Sequence, residues 1–188
     1  MTVNDKTRIT VQQFEHILEQ PAHQDRLLEL IDGEIVEKMP TQEHGAIVAN
    51  LIIEIGIYLR QQKIGFVATE ARHGMADDDE NDLLPDVSFS VGETTPLKKG
   101  SVPRMPDLAV EVKSPSDKPN KIEKKASYYM QNGSQMVWLV YPDTQEVVQL
   151  AKDDQGNVQR QTFSAADTLT GGNVLPGFTL SVKTIFSF

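Results

Sequence analysis

The chain has 188 residues, no cysteine and a formal net charge of −9 at pH 7. The absence of cysteine excludes disulfides, zinc–thiolate sites and a cysteine nucleophile, and the acidic charge argues against indiscriminate binding of nucleic acid. The length predicts one domain over residues 1–188. Because the sequence has neither an apolar signal core nor a run near the roughly 20 residues of a membrane span, we expect a cytoplasmic protein without a membrane partner.

A short helix and a β-hairpin are predicted at the beginning of the chain. Thr10 is expected to cap the helix, with a glutamine at its third position, and Pro21 is expected to end it. Between residues 26 and 39, apolar runs flank Asp32-Gly33, which is a strong two-residue turn signal. This part of the chain should therefore add a helix and a hairpin to the fold.

A long amphipathic helix and a strand come next. Thr41 is predicted to cap the helix, and residues 44–60 carry apolar side chains at i+4 intervals that form a buried stripe. Residues 65–75 are predicted as one strand. The acidic run 76–82 lacks the central glycine and distant glutamate of an EF-hand loop, so we interpret it as a solvated turn rather than a calcium site.

Two strands with strict alternation of apolar and polar residues follow. Residues 85–91 put Asp86 on a polar face, and residues 106–113 put Glu111 and Lys113 side by side on another. The loop between the strands is rich in proline, glycine and lysine, which is typical of a surface segment that contacts substrate. The charged residues of both strands are therefore candidates for chemistry.

A carboxylate pair from these strands predicts a divalent metal site. Asp107 lies on the same strand as Glu111, about 13 Å away at roughly 3.3 Å per residue, which is too far for one ion to bridge. Asp86, on a neighbouring strand roughly 5 Å away, is close enough. Asp86 and Glu111 are therefore the predicted ligands, and Asp107 is expected to be structural. Lys113 is predicted to stabilise an attacking hydroxide or a developing oxyanion.

The remaining predicted elements are a helix and several strands. Ser116 or Asp117 is predicted to cap the helix, with Pro119 in its first turn. Lys121 and Lys125, at i and i+4, share one flank of this helix. Further strands are predicted at residues 135–141, 145–150 and 158–163.

Positive charge is concentrated near the predicted site. Residues 98–125 carry a net charge of +4 although the chain as a whole is acidic. Such a stretch is often only a solvated face. Its coincidence with the carboxylate pair also predicts a surface that attracts phosphate.

The ordered set of motifs resembles a large bacterial family of restriction-endonuclease-like domains in the PD-(D/E)XK nuclease superfamily. The motifs are residues 29–34, His44, Pro85-Asp86, residues 106–112 and 114–116, Lys125, Tyr129, Gly133 and residues 138–142. The resemblance covers nearly the whole chain. Members of that family often lack a lysine at the position of Lys113 and keep one that matches Lys125. This chain has both, which leaves open which lysine acts.

The resemblance implies an activity, a metal and a fold. The expected activity is that of a Mg²⁺- or Mn²⁺-dependent endonuclease that acts on nucleic acid, with DNA preferred over RNA. A homodimer is also expected, because it would supply two sites for the two strands of a duplex. The fold is α/β (α+β), a restriction-endonuclease-like core with a mixed central sheet flanked by helices. That core is expected over about residues 44–141, with an N-terminal hairpin and extra C-terminal strands.

The resemblance also assigns roles to individual residues. Asp86 and Glu111 would hold the metal with the backbone carbonyl of Val112, and Lys113 or Lys125 would stabilise the nucleophile and the developing charge.

Three further residues are expected to be secondary or substrate-contacting: Glu34, His44 and Lys121. Two alternatives to an endonuclease stay open. One is a catalytically weak module on the same fold that binds nucleic acid or protein, and the other is a protein that binds or hydrolyses a small phosphorylated ligand.

Overall fold

The computed structural model of the chain describes residues 8–92, 95–115, 117 and 120–188. Its helices are α1 (Val11–Leu18), α2 (Gln42–Gln62), α3 (Lys121–Gln131) and α4 (Val182–Ile185), with a 3-10 turn at Pro21–His23. Its strands are β1 (Leu28–Ile31), β2 (Glu34–Glu37), β3 (Gly65–Thr69), β4 (His73–Gly74), β5 (Asp82–Leu83), β6 (Val87–Val91), β7 (Leu108–Val112), β8 (Met136–Tyr141), β9 (Glu146–Lys152), β10 (Val158–Phe163), β11 (Thr168–Thr170) and β12 (Thr179–Ser181).

A mixed sheet forms the centre of the fold. Its strand order is β10-β9-β8-β7-β6-β3, in which β7 and β8 are parallel and the other neighbours are antiparallel. The parallel pair requires a crossover, and α3 provides it. A smaller sheet has the order β2-β1-β5-β4. The predicted mixed central sheet with flanking helices, an N-terminal hairpin and extra C-terminal strands is confirmed.

The two long helices cover opposite faces of the central sheet. The buried stripe of α2 packs in one cluster with Val110 and Val112 of β7 and with Trp138 of β8. On the other face, Ala126 and Tyr129 of α3 pack in a cluster with neighbouring residues of the same strands. Because side chains alternate along a strand, Glu111 must face α3 rather than α2.

The first part of the chain follows the sequence prediction closely. Thr10 forms the expected capping box with Gln13, and the side chain of Thr41 accepts from the backbone N–H of His44 at the beginning of α2. The hairpin of β1 and β2 turns at Asp32 and Gly33, which have φ values of 49° and 72°. Positive φ at both central residues is the requirement of a type I′ turn, and glycine meets it without strain.

Two predictions about local structure were wrong. Residues 65–75 do not form one strand, because Glu70 adopts a left-handed conformation with φ 52° and the chain leaves β3 for β4 in the smaller sheet. Asp117 does not cap α3: its carboxylate accepts from the backbone N–H of Ser114 at 2.9 Å, and α3 begins after Asn120. The other predicted cap, Ser116, and the predicted first-turn Pro119 lie outside the described residues.

None of the helices within the described ranges combines the length and apolar composition that a membrane span requires.

Candidate active site

A polar pocket lies where the smaller sheet, the central sheet and α3 meet. Its charged lining includes Lys38, Asp86, Glu111 and Lys125. The segment that joins β5 to β6 connects the two sheets at this pocket. β5 pairs with β1 in the smaller sheet, and only a few residues later β6 pairs with β7 in the central sheet. The two sheets therefore bring acids from separate strands to one pocket.

The Asp86 carboxylate is fixed on both oxygens. Its Oδ2 accepts from the backbone N–H of Val112 at 2.7 Å and lies 3.1 Å from His44 Nε2. Its Oδ1 accepts a short hydrogen bond from the ammonium of Lys38. Burial by itself would raise the pKa of Asp86, but Lys38 and His44 outweigh burial and hold that pKa well below its ordinary value.

The lowered pKa of Asp86 predicts a pH-dependent stability. The ionised Asp86 stabilises the fold fully above the pKa of an unfolded aspartate, about 3.9, and this contribution is lost as the pH falls towards the lower folded pKa. At neutral pH we expect Asp86→Asn to unfold more readily in urea than the wild type, by a difference of the order of 2 kcal/mol. The difference should shrink between pH 5 and about pH 3. A difference that grows on acidification would contradict the assignment.

The Glu111 side chain is buried between β7 and α3. Its Oε1 accepts from the hydroxyl of Tyr129 at 2.7 Å and from the ammonium of Lys125 at 2.6 Å. Its Oε2 lies 3.9 Å from Lys38 Nζ. Burial and the nearby carboxylates of Asp86 and Glu29 raise the pKa of Glu111, although the two lysines oppose this shift.

A third acid, Glu29 of β1, completes the cluster. Its Oε2 lies 2.7 Å from Lys125 Nζ and accepts from the backbone N–H of Leu84 at 3.3 Å. Burial raises the pKa of Glu29, but Lys125 and Lys38 outweigh burial and lower it overall. Within the described part of the chain, no hydrogen-bond partner reaches Glu29 Oε1, whose nearest cation is Lys121 at 3.7 Å.

The Lys125 ammonium is the buried cation of the site. The side chain is 2% exposed, and its Nζ lies between Glu29 and Glu111. Burial would lower the pKa of Lys125, but these two carboxylates outweigh burial and raise it. Lys125 therefore remains protonated, and it holds two acids from different sheets in fixed positions.

Comparison with known proteins identifies the family of this chain. The profile of the Uma2 family, described as "Putative restriction endonuclease", matches residues 11–183. The chain belongs to the Uma2 family. Among curated proteins, no relative matches the sequence.

A solved structure has the same fold as this Uma2 chain. It is a crystal structure from Anabaena variabilis ATCC 29413, described as a putative nuclease belonging to DUF820. It has a TM-score of 0.76 and 23% sequence identity over 95% of this chain and 97% of the other. At that identity the likeness supports the fold.

Lys113, a predicted catalytic residue, lies outside this pocket of the Uma2 chain. β7 ends at Val112, and the Lys113 ammonium lies 3.6 Å from Asp143 Oδ2 in the turn after β8. It does not line the pocket that holds Asp86 and Glu111. In the structure Lys113 therefore contacts Asp143 rather than the pocket, and its role as the acting lysine stays a prediction.

Of the three residues predicted to be secondary or substrate-contacting, two line the pocket and one does not. His44 lies in the pocket beside Asp86, and Lys121 lines it, with its ammonium 3.1 Å from Asp117 Oδ1. Glu34 lies on β2 and lines a neighbouring depression instead. The structure places Glu29, rather than Glu34, in the cluster of charges around Lys125. Asp107 accepts from the backbone N–H of Val91 at 2.8 Å, as expected of a structural residue.

Three residues of the Uma2 pocket region were given no role in the site from the sequence: Glu29, Lys38 and Tyr129. Glu29 had a detectable signal, because an acid inside the apolar run of residues 27–31 must be buried with a partner or neutralised. Tyr129 belonged to the motifs of the resemblance, but no pattern indicated a contact with Glu111, and Lys38 had no signal. Their positions depend on how the smaller sheet and α3 pack against the central sheet.

The residues present fit a divalent cation. Asp86 Oδ1 and Glu111 Oε2 converge on one positively charged atom, Lys38 Nζ, so two carboxylates from adjacent strands already face a single cation position. Carboxylate oxygens are the ligands that Mg²⁺ and Mn²⁺ prefer. No group of three or more His, Cys, Asp or Glu side chains with metal-holding geometry occurs among the described residues. Mg²⁺ usually takes one or two carboxylates and keeps several waters, so this donor set suffices.

Proposed function

We propose that this Uma2 protein is a divalent-metal-dependent endonuclease that hydrolyses phosphodiester bonds in DNA. One observation carries the proposal: two carboxylates, Asp86 and Glu111, come from adjacent strands and converge on a single cation position. Family membership supports a nuclease. The metal, the preference for DNA and the residue roles are inferred from the chemistry of the pocket.

The cation would be held by Asp86 and Glu111, with the carbonyl of Val112 as a further candidate ligand. When bound, it would supply Lewis acidity towards a phosphoryl oxygen and lower the pKa of a coordinated water. Lys125 keeps Glu111 oriented through the contact of its ammonium with Oε1, and His44 does the same for Asp86 through Oδ2.

Two other side chains can act on the reactants directly. Glu29 does not line the pocket, but its Oε1 is buried behind Lys125 without a hydrogen-bond partner in the described ranges, so it can accept a hydrogen bond from a water that reaches it. Lys121, which is more exposed than Lys125, lines the same pocket and can pair with the charged oxygens of a phosphodiester.

The proposal includes a homodimer and a cytoplasmic location. A dimer supplies two sites, which cleavage of both strands of a duplex requires. The absence of cysteine is compatible with a reducing compartment. Light scattering of the purified protein, alone and with a short duplex, measures the oligomeric state directly.

Incubation of supercoiled plasmid DNA with the purified protein tests the proposed nuclease activity. With Mg²⁺ or Mn²⁺, nicked circles should accumulate in proportion to protein concentration, and a chelator should stop the reaction. Single-stranded RNA of similar length is the comparison substrate, and we expect slower cleavage of it. If neither cation supports nicking by folded protein, the catalytic proposal is wrong.

A binding module is the second candidate, and the acidic charge of −9 favours it. This candidate binds nucleic acid or protein without efficient catalysis. The negative charge repels the DNA backbone, which weighs against efficient cleavage and confines any DNA binding to a local basic surface. A gel-shift experiment with Ca²⁺, which often supports binding without cleavage, would detect such a module. DNA binding without nicking under any metal condition would favour this second function.

A further inference from the structure

Lys38 makes a contact that the proposed chemistry does not use. It follows β2, and its ammonium donates hydrogen bonds to two oxygens and lies within ion-pair distance of a third. These are Asp86 Oδ1, the carbonyl of Leu84 at 2.9 Å and Glu111 Oε2 at 3.9 Å. The side chain is only 11% exposed. An ammonium therefore lies between the two carboxylates that would hold the metal.

The surroundings of Lys38 Nζ resemble those of a bound hard cation. Two carboxylate oxygens and one backbone carbonyl oxygen face it, and these are the ligand types of Mg²⁺ and Ca²⁺ sites. Both cations cannot occupy this position, because an ammonium and a divalent ion in contact with the same Asp86 oxygen would repel each other at short range.

The charges of the pocket explain why a cation is needed there. Three buried acids, Glu29, Asp86 and Glu111, face the two ammonium groups of Lys38 and Lys125. Without Lys38, only Lys125 and the more distant Lys121, 3.7 Å from Glu29 Oε1, would remain beside three carboxylates, and no ammonium would contact Asp86. Buried charges without partners are strongly destabilising. Lys38 therefore compensates the carboxylates in the metal-free protein.

Lys38 is also able to leave. Its side chain has a flexible four-carbon stem, and the next residue, Met39, is exposed. Both residues line the pocket, and Met39 also lines the neighbouring depression. A small rotation of the stem would carry the ammonium from Asp86 towards solvent.

We propose that Lys38 is a tethered cation that occupies the metal position in the free protein and is exchanged for the divalent ion. The proposal rests on the proposed function, because it requires a metal at Asp86 and Glu111. It makes Lys38 a positioning residue that keeps the two carboxylates together before the metal arrives. It also sets the affinity for the metal, since each binding event must displace the ammonium.

Binding of Mn²⁺, followed through the electron paramagnetic resonance signal of the free ion, tests the exchange without any assay of activity. Lys38→Met should bind Mn²⁺ about tenfold more tightly than the wild type, the factor expected when one charge-assisted hydrogen bond no longer competes. Lys121→Met is the matched control, because it removes the same charge from the pocket but not from Asp86. We expect it to change the affinity less than about threefold. Lys38→Gln replaces Lys38→Met if circular dichroism shows that the methionine variant is unfolded.

Chemical labelling of the wild-type protein provides an independent measurement. An amine-acylating reagent, followed by mass spectrometry of the peptides, reports how accessible each ammonium is. Saturating Mg²⁺ should increase the acylation rate of Lys38 severalfold, while that of the exposed Lys99 stays constant. An unchanged rate at Lys38 would show that the ammonium does not leave, and it would overturn the exchange.

The outcomes separate this inference from the proposed function. If the wild type binds Mn²⁺ and Glu111→Gln abolishes binding, but Lys38→Met binds no more tightly than the wild type, the exchange is wrong and the metal site stands. If no folded variant, Lys38→Met included, binds Mn²⁺ at millimolar concentrations, both the exchange and the metal-dependent function are wrong.

Discussion

Replacing Asp86 with asparagine, or Glu111 with glutamine, is expected to lower the initial rate of plasmid nicking at least about a hundredfold. This is the size of the loss when one preorganised group that stabilises the reacting charges is removed. Each substitution keeps the shape of the side chain but removes a negative charge that would face the metal. Rates measured at saturating Mg²⁺, with circular dichroism to verify folding, test the prediction.

Asp107→Asn is the matched control for this experiment. Asp107 is the residue before β7. Its carboxylate accepts a hydrogen bond from the backbone N–H of Val91 and pairs with the guanidinium of Arg104, but it does not line the pocket. We expect nicking by this variant within about threefold of the wild type, because only a partly exposed ion pair is changed. If Asp86→Asn and Glu111→Gln cut as fast as Asp107→Asn, the activity belongs to a contaminant and the assignment of the site is wrong.

The central pair of the site could be predicted because it depends on short-range geometry. Alternation along β7 fixes the face that Glu111 occupies, and strand spacing fixes its distance from the neighbouring strand. Asp86 lies one residue before β6, and two hydrogen bonds to β7, with the carbonyl of Val110 and the N–H of Val112, hold it there. The structure pairs β6 with β7 in antiparallel register, Val87 opposite Val110, and thereby brings both carboxylates to Lys38. Predictions of this kind need only the pattern of the strands themselves.

The rest of the site depends on contacts between distant parts of the chain. Glu29 reaches Lys125 because β1 pairs with β5, with Leu30 opposite Asp82, and because α3 packs beside both. No local pattern in the sequence encodes that pairing. The interior position of Glu29 in an apolar run indicates a buried acid, but it does not identify the partner. The partner is known only once the smaller sheet is in place.

The sequence does not determine where the ammonium of Lys113 lies, because this residue is one position beyond the end of β7. The backbone N–H of Lys113 still bonds the carbonyl of Val140 at 2.9 Å, so the ladder continues in hydrogen bonding. The side chain, however, lies beyond the last residue of β7 and turns to Asp143. Alternation fixes the direction of a side chain inside a strand, but it does not fix the position of a long, flexible ammonium at the end of a strand.

Replacement of Lys125 is the second change for which we expect a large effect, and Lys113 provides the comparison. Lys125→Met is expected to lower the free energy of unfolding in urea at pH 7 by roughly 3–5 kcal/mol, because it leaves Glu29 and Glu111 buried without their shared cation. It should also reduce nicking strongly, since Glu111 loses the contact that orients it.

Lys113→Met is the matched control. It removes one partner of an ion pair whose other member, Asp143, is 78% exposed. We expect it to change stability by less than about 0.5 kcal/mol and to leave the nicking rate near that of the wild type.

The pH dependence of Lys125→Met separates loss of charge from loss of packing. If the uncompensated acids cause the instability, the variant should recover part of its stability as the pH is lowered, because protonation of Glu29 and Glu111 removes the buried charge. A loss caused only by poorer packing of the methionine would be independent of pH over the same range. Equal stability and equal nicking in Lys113→Met and Lys125→Met would contradict the roles inferred from the two positions. Loss of nicking in Lys113→Met alone would move the acting lysine back to the end of β7.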